Sequence, residues 1–433
     1  MMKFATDILL IAPAVMGVIY SVSRIWDAVS DPVVGYLSDR TTSKLGRRRT
    51  WILASSVPIS AAFYMVFAPP MSLDGDGLIV WTAIAVIGFY SAMTLFFVPH
   101  LSLGAELSDD YHERSRMFGT RHAAYIIGSI LSLVSLYFLI NEEYAEGGNV
   151  RALAEEQSMI AVVIMFALVI FAVVRLRERP EFQGRTNASP VKAFKDVWDN
   201  PHARLLLIVT FIENVGSSAI AALTLYVTHY VVGAPTWAPV IIFAYMLPSF
   251  ASVPLWLPLS RRFGKIRVWI AGMMLTGASF GAMFLLPFIE SVDARIAWII
   301  TMAVFAGLAN GCGGTIGPSV QGDVIDYDEH LTGERKEGAY FSAWNFVQKS
   351  ALGVMLLLTG FVLDFSGFVP NVEQTMTVKV SMVTLYGLFP LVCYAIGAFM
   401  FMRFKLDEKA HGEIRAALDE KAARAQIATQ APT

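Results

Sequence analysis

The chain has 433 residues, of which 55% are hydrophobic and only 16% charged, with a formal net charge of −2 and a mean hydropathy of +0.56. Soluble domains carry roughly a quarter charged residues, so this balance excludes a disordered chain, a nucleic-acid binder and an ordinary cytosolic enzyme. What is left is a polytopic membrane protein, with length for about a dozen spans of about 20 residues each.

In chain order, apolar stretches long enough to cross a bilayer run over 10–37, 51–69, 78–103, 121–140, 158–175, 203–231, 238–259, 266–288, 294–322, 338–365 and 378–404, eleven in all. None alternates like a barrel strand, so the expected fold class is an all-α membrane protein. The loops between them alternate in charge. One set is basic: Arg40 to Arg49, Arg114 with Arg116, then Arg175, Arg177, Arg179, Arg185, Lys192 and Lys195, later Arg261 to Arg267, Arg335 with Lys336, and the tail from Arg403. The other set is acidic or neutral: Asp74 with Asp76, Glu142 to Glu156, and Glu290 with Asp293. The positive-inside rule assigns the basic set to the cytoplasm and the chain to the cytoplasmic membrane. The C-terminus is then inside and Met1 outside. The apolar run after Lys3 continues into the first span without a small-residue cleavage site, so no signal peptide is assigned. Cys312 and Cys393 both lie in apolar runs and imply no disulfide framework.

The longest basic loop, 176–202, divides an N-terminal half, 1–175, from a C-terminal half, 203–404. Within it Ser189-Pro190 reads as an N-cap and first-turn proline, and Val191, Phe194, Val197 and Trp198 follow at helical spacing. That pattern fits an amphipathic helix on the inner membrane surface; a solvated linker is the plainer alternative. The tail, 405–433, reads as a frayed helix with no chemistry of its own. The halves echo each other. Gly35 to Arg40 with Gly46 to Arg49 has a counterpart in Leu259 to Lys265, and Glu106 to Arg114 has one in Asp323 to Arg335. Parallel half-repeats are a transporter architecture.

An ionisable side chain at the centre of a spanning helix costs at least about 2.5–3.5 kcal/mol, so each such residue needs a partner or a task. Arg24, Asp27 and Asp31 lie at spacings of three and four, on one face of the first span. Two bare carboxylates one turn apart repel, and a small cation between them relieves the conflict. The alternative is an Arg24–Asp27 ion pair with Asp31 near water. Pro32, next in the chain, frees a carbonyl one turn back, either as an oxygen ligand or as a packing kink. Glu213 and Asn214 interrupt the sixth stretch. Trp344, Asn345, Gln348 and Lys349 are expected to share one helix face by their spacings of three and four, and polar groups beside an indole suit a sugar; the alternative is an ion pair of Lys349 with a carboxylate of the other half. Arg121 and His122 open the fourth stretch, with Tyr125 one turn on; Arg121 either reaches the pathway or faces headgroups. Gly311 to Gly317 lacks the Gly-Lys-Ser/Thr ending of a P-loop and, like Gly277 to Gly281, reads as close helix packing. No H-E-x-x-H or G-x-S-x-G motif supports a hydrolase.

Arg24-Ile-Trp26-Asp27-Ala-Val-Ser-Asp31-Pro32-Val-Val-Gly35, followed by Ser38-Asp39-Arg40 and Gly46 to Arg49, resembles the glycoside–pentoside–hexuronide:cation symporter family, a branch of the major facilitator superfamily. Further matches are Val98-Pro99, Gly104 to Asp110 with Glu113-Arg114, Asp323 to Glu329, Gly333 to Arg335 with Glu337-Gly338, Trp344 and Lys349. The resemblance spans nearly the whole chain. It implies an alternating-access carrier with two six-helix halves, not an enzyme. The implied partners are a sugar or glycoside substrate, a coupling Na⁺ or H⁺ and no other cofactor, membrane lipid, no nucleic acid and no second subunit. Asp27 and Asp31 match the family's cation-site carboxylates, Arg121 its sugar-contacting arginine on helix five and Lys349 its helix-eleven lysine. The expected substrate contacts are Arg24, Arg121, Tyr125, Glu213, Trp344, Gln348 and Lys349. The expected gating residues are Asp39, Arg40, Arg47, Asp109, Arg114, Asp323, Asp326 and Arg335.

There are two departures from the family. Sodium–galactoside members carry an aspartate and a tryptophan on helix four, where this chain has Phe96-Phe97-Val98-Pro99-His100-Leu101. The family's first helix, about thirty residues with its loop, is expected to be lacking, since Thr6-Asp7-Ile8-Leu9 resembles the sequence just after it. The first departure motivates an amphiphile or lysolipid carrier as an alternative. The second motivates an inactive N-truncated fragment or a non-transporting sensor.

Overall fold

The computed structural model describes residues 1–106, 111–176, 178, 195, 197–332, 337–406, 409–418 and 420, and every regular element among them is helical. The N-terminal half holds α1 (Pro13–Arg40), α2 (Arg47–Phe67), α3 (Gly75–Glu106), α4 (Tyr111–Glu143) and α5 (Val150–Arg175), preceded by a short π-helical turn, Phe4–Ile8. The C-terminal half holds α6 (Pro201–Tyr226), α7 (Ala238–Ala251), α8 (Val253–Phe263), α9 (Lys265–Ala282), α10 (Val292–Thr332), α11 (Glu337–Phe365), α12 (Met376–Val383) and α13 (Phe389–Phe401). Local chemistry sets several of the starts. Asn149 caps α5 by accepting from Ala152, and Thr375 caps α12 by accepting from Val378. Asn200 caps α6, accepting from His202 and Ala203 with Pro201 in the first turn.

Among the described residues, eight helices are fit by length and apolarity to cross a membrane, and the pair α7–α8, bent by 48°, makes a ninth. The count of eleven also includes α1 and α4. The first carries Arg24, Asp27 and Asp31 in its middle and so does not pass as a plain apolar span, and the side chains of the second are described only in part. Pro32 lies inside α1 without ending it. The amphipathic helix expected from Ser189 falls outside the described residues except at its end, where Val197 is buried in the C-terminal core.

Within the N-terminal half α2 packs on α3 and α5, and α1 on α3; within the C-terminal half α10 packs on α7 and α9, and α13 on α6 and α9. The halves meet chiefly where α1 runs along α11. Glycine makes that approach close. A Cβ on Gly360 would stand 2.5 Å from the Pro13 carbonyl and 2.9 Å from Gly17 Cα. A Cβ on Gly353 would stand 3.1 Å from Arg24 Cβ. Of the Gly311 to Gly317 run, Gly311 packs closely, against Ser249 and Ser252 of the α7–α8 bend, while Gly314 faces open space.

The core is continuous between the halves at the end assigned to the outside. There Met16 and Tyr20 of α1, Val86 and Tyr90 of α3, Leu223 and Tyr226 of α6, and Met355 and Leu363 of α11 share one buried cluster. At the inner end the described residues form two separate clusters, Ile52, Leu103, Val169 and Val173 in one half and a larger group around Trp269 and Tyr340 in the other.

A polar network also ties the outer ends together. Lys3 pairs with Glu143 at 2.9 Å and Asp7 at 3.2 Å. From the other half, Tyr230 donates to Asp7 at 2.6 Å, Asn371 Nδ2 donates to the Asp7 carbonyl at 2.7 Å, and the Thr6 and Tyr226 hydroxyls lie 2.7 Å apart. His229 Nε2 lies 2.9 Å from the Tyr144 hydroxyl, with Nδ1 3.7 Å from Asp7. Burial of Asp7 opposes its charge, but His229, Lys3, Tyr230 and Thr6 together outweigh it and hold this carboxyl below the ordinary aspartate value.

Gly360→Ala should therefore over-pack the seam and cost about 2 kcal/mol, read as a lower melting temperature in detergent. Gly314→Ala, with nothing within 4 Å of the added Cβ, should leave it unchanged. A depressed carboxyl stabilises the fold above its unfolded value and loses that contribution as pH falls. Asp7→Asn should thus lower thermal stability at neutral pH, and its gap from the unmodified protein should close as pH drops below about 4. A gap that stays constant with pH would refute this account of Asp7.

Candidate functional site

The charged residues of α1 meet α3 and α11 where the glycine seam brings them within reach. Lys349 of α11 extends its ammonium to both carboxylates, 2.9 Å from Asp27 Oδ2 and 2.5 Å from Asp31 Oδ2. Thr94 of α3 lies on their far side, 2.6 Å from Asp27 Oδ1 and 3.0 Å from Asp31 Oδ1, so its single proton serves both. Arg24 completes the group, with Nη1 3.8 Å from Asp27 Oδ2 and Nη2 donating to the Tyr90 hydroxyl at 2.7 Å. Its guanidinium also lies 3.8 Å from the Tyr90 ring centroid, a cation–π contact. Asp27 is only 4% exposed. With all four charged groups ionised the cluster is formally neutral, which is what allows two carboxylates to sit one turn apart away from water.

Both sequence-level alternatives for these residues meet here. Arg24 does approach Asp27, and Lys349 does pair with carboxylates of the other half. The position between the carboxylates is held by the Lys349 ammonium. Thr94 and Tyr90 were not singled out from sequence. Their signal is the i, i+4 spacing of hydroxyl residues on α3, just before the Phe96 to Leu101 stretch where the chain departs from the family.

The other expected substrate contacts lie elsewhere. Trp344 does not share the Lys349 face, since five residues on a helix turn through about 140°. It is 2% exposed and packs on Tyr340 in the C-terminal core. Gln348 is exposed on α11, and Tyr125 of α4 is 66% exposed. Glu213 of α6 lines a separate cavity among α9, α10 and α13. The Arg121 side chain lies outside the described residues, as do those of Asp39 and Arg114 and the whole of Asp109 and Arg335.

The described gating residues are engaged within their own halves. The backbone N–H groups of Arg47 and Arg49, at the start of α2, donate to Glu178 at 2.8 and 2.6 Å, a carboxylate on a helix N-terminus. Arg48 donates to Ser38 Oγ at 2.6 Å, and Arg40 lies over the Tyr36 ring. Asp323 pairs with Lys265 at 2.6 Å. His411 lies 3.0 Å from Asp326 and 3.5 Å from Asp323, and Arg415 lies 3.6 Å from Asp326. These contacts correct the reading of the tail as a frayed helix without chemistry. Residues 409–418 are helical, Ile414 enters the C-terminal core, and the basic face is drawn to two carboxylates whose net charge needs covering.

Two groups of apolar helices, joined through buried charges at a glycine-lined seam, define a secondary transporter that crosses the membrane several times. The chain belongs to the family described as MFS/sugar transport protein, whose model it matches over residues 1–408, and its relatives include the putative glycoside/cation symporter YagG and the glucuronide carrier protein homolog of Escherichia coli. It is 26% identical over 412 residues to the inner membrane symporter YicJ of Escherichia coli, covering 93% of this chain and 86% of that protein. It is 24% identical over 445 residues to the sodium-dependent lysophosphatidylcholine symporter 1-A of Danio rerio, covering 94% and 81%. The fold is shared with a bacterial homologue of the human lysosomal transporter Spinster, solved in an inward-facing and unoccupied conformation, at a TM-score of 0.64, 14% identity and 92% coverage of both chains.

Lys349→Ala should leave Asp27 and Asp31 facing each other without their ammonium. The expected cost is about 3 kcal/mol, the low end for breaking a buried ion pair because Lys349 and Asp31 keep partial exposure. Adding Asp31→Asn should recover most of that loss. Denaturant titration of both variants in the same detergent reads the difference, and equal stability of Lys349→Ala and the unmodified protein would contradict the assignment.

Proposed function

We propose that the protein is a cation-coupled symporter that carries a sugar or glycoside across the cytoplasmic membrane by alternating access, with Asp27 and Asp31 holding the coupling Na⁺ or H⁺. The observation that carries this reading is the Lys349 ammonium seated between the two carboxylates. It is a tethered cation at the place where a free one would bind, and it belongs to the opposite half of the molecule. A coupling cation taken up by Asp27 and Asp31 releases Lys349, because three cations on two carboxylates leave an excess buried charge. Release of Lys349 loosens α11 from α1, so ion binding and the relative position of the halves become one event. A sugar suits the same site. Arg24 and the freed Lys349 are donors to hydroxyl oxygens, and the carboxylates and Tyr90 are acceptors. The outer network and the continuous outer core support a conformation closed to the outside.

The second reading is an amphiphile. Phe97 is 37% exposed just beyond Thr94 on α3, and the zebrafish relative is described as a lysophosphatidylcholine symporter.

Uptake into proteoliposomes tests both. Labelled glycosides, pentosides and hexuronides are offered with an imposed Na⁺ or H⁺ gradient, with and without lysophosphatidylcholine as competitor. Gradient-driven uptake of one of the sugars is expected, falling at least about tenfold in Asp27→Asn, the loss of roughly one charge-assisted contact. Wild-type-like, gradient-independent uptake in that variant removes the cation assignment. Competition by lysophosphatidylcholine, with no sugar transported, favours the second reading.

A further inference from the structure

Glu213 is an acid inside the membrane region that the ion cluster on α1 does not use. It lines a cavity of about 20 Å³ within the C-terminal half, together with Trp269 and Thr276 of α9, Asn310 of α10 and Tyr394 of α13. That volume accommodates one water molecule and nothing larger. No α1 or α11 residue lines it, so it is separate from Asp27, Asp31 and Lys349. Among the described residues no Lys, Arg or His pairs with Glu213. The titratable groups facing it are Cys312 of α10 and Tyr394 of α13, α9 contributes none, and Lys349 of α11 is committed to α1.

A second observation points to a ligand. The Trp269 indole Nε1 is buried with no hydrogen bond of good geometry, and the acceptor that faces it in the same cavity is the Glu213 carboxyl. An indole can only donate, and a buried donor poorly met is costly, so a water in the cavity that accepts from the indole and donates to the carboxyl improves on the strained direct contact. A water within reach of both the indole and the carboxyl meets that need. The cavity also has an approach. Asn310 at its edge is exposed and donates to Ser249 Oγ at 2.9 Å, and Gly314, one turn on, faces open space. An exposed amide–hydroxyl pair suits a wetted face better than lipid.

We propose that Glu213 is a proton-exchange site in the C-terminal half, with one water linking its carboxyl to the Trp269 indole. Uptake adds one proton from water to a carboxylate oxygen, release returns it to water, and no other bond changes. Protonation removes the only formal charge in this cavity.

The test is infrared difference spectroscopy of the full chain in proteoliposomes, taken between about pH 5 and about pH 9. The acid-minus-alkaline spectrum should contain a protonated-carboxyl C=O band that disappears in Glu213→Gln and shifts in Trp269→Phe, which keeps the carboxyl. Trp269→Phe reads the same band if the first variant fails to fold. Superimposable spectra of Glu213→Gln and the unmodified protein overturn the proposal. So does a Glu213 band that is present but equal at both pH values, the mark of a fixed hydrogen-bond donor, and so does an unshifted band in Trp269→Phe. No substrate is needed, so the result is independent of the symport reading.

Discussion

Two carboxylates on one helix face, held by one lysine from the other half of the molecule, are the constraint on which the rest of the structure turns. Asp27 and Asp31 are too close together, and Asp27 too deeply buried, for both to remain charged alone. Lys349 joins Arg24 in neutralising them only because α11 lies close along α1, and Gly17, Gly353 and Gly360 are what let it lie so close. The glycines on α1 and α11 and the charges between them are therefore one device. Without the close approach the lysine falls short, and without the lysine there is a cost to bringing the helices together.

The ends of the molecule complement that centre. On the outer side Lys3, Asp7, Glu143 and Tyr144 of one half engage Tyr226, His229, Tyr230 and Asn371 of the other, above a core that both halves share. On the inner side the described charges turn inward on their own half: Glu178 covers the start of α2, and Asp323 and Asp326 are taken by Lys265, His411 and Arg415. An alternating carrier needs bonds that can be exchanged for others of similar strength. The inner pairs bear on that need through their basic ends, since Lys265 and Arg415 are half-exposed while Asp323 and Asp326 are largely covered.

The helical class, the membrane setting and the Arg24–Asp27–Asp31 face were legible in sequence because each depends on local periodicity or on the cost of a charge in lipid. The cross-half partner of those carboxylates was legible as an alternative, since an unpaired lysine within a span needs an acid. Trp344 was misplaced because a spacing of three or four links neighbours in steps, while the turn from Trp344 to Lys349 accumulates to a different face. Thr94, Tyr90 and Glu178 escaped notice for another reason. A hydroxyl or carboxylate that serves a site from a separate helix carries no pattern of its own until the helices are placed. The docked tail follows the same rule, since its His411 and Arg415 look like solvated charges until Asp323 and Asp326 are beside them.

The seam between α1 and α11 also bears on rates. Helices that interlock through long side chains must lift each out of its groove before they slide, and every lifted contact adds to the barrier. Where Gly17 faces Gly360 the surfaces are bare backbone, with no such teeth. Motion of one half over the other there meets little friction, and what holds the register is electrostatic, concentrated at Lys349 a few turns away. Such a joint is stiff while its charges are paired and slips readily once they are not, so its stiffness is set by charge pairing rather than by interlocked side chains.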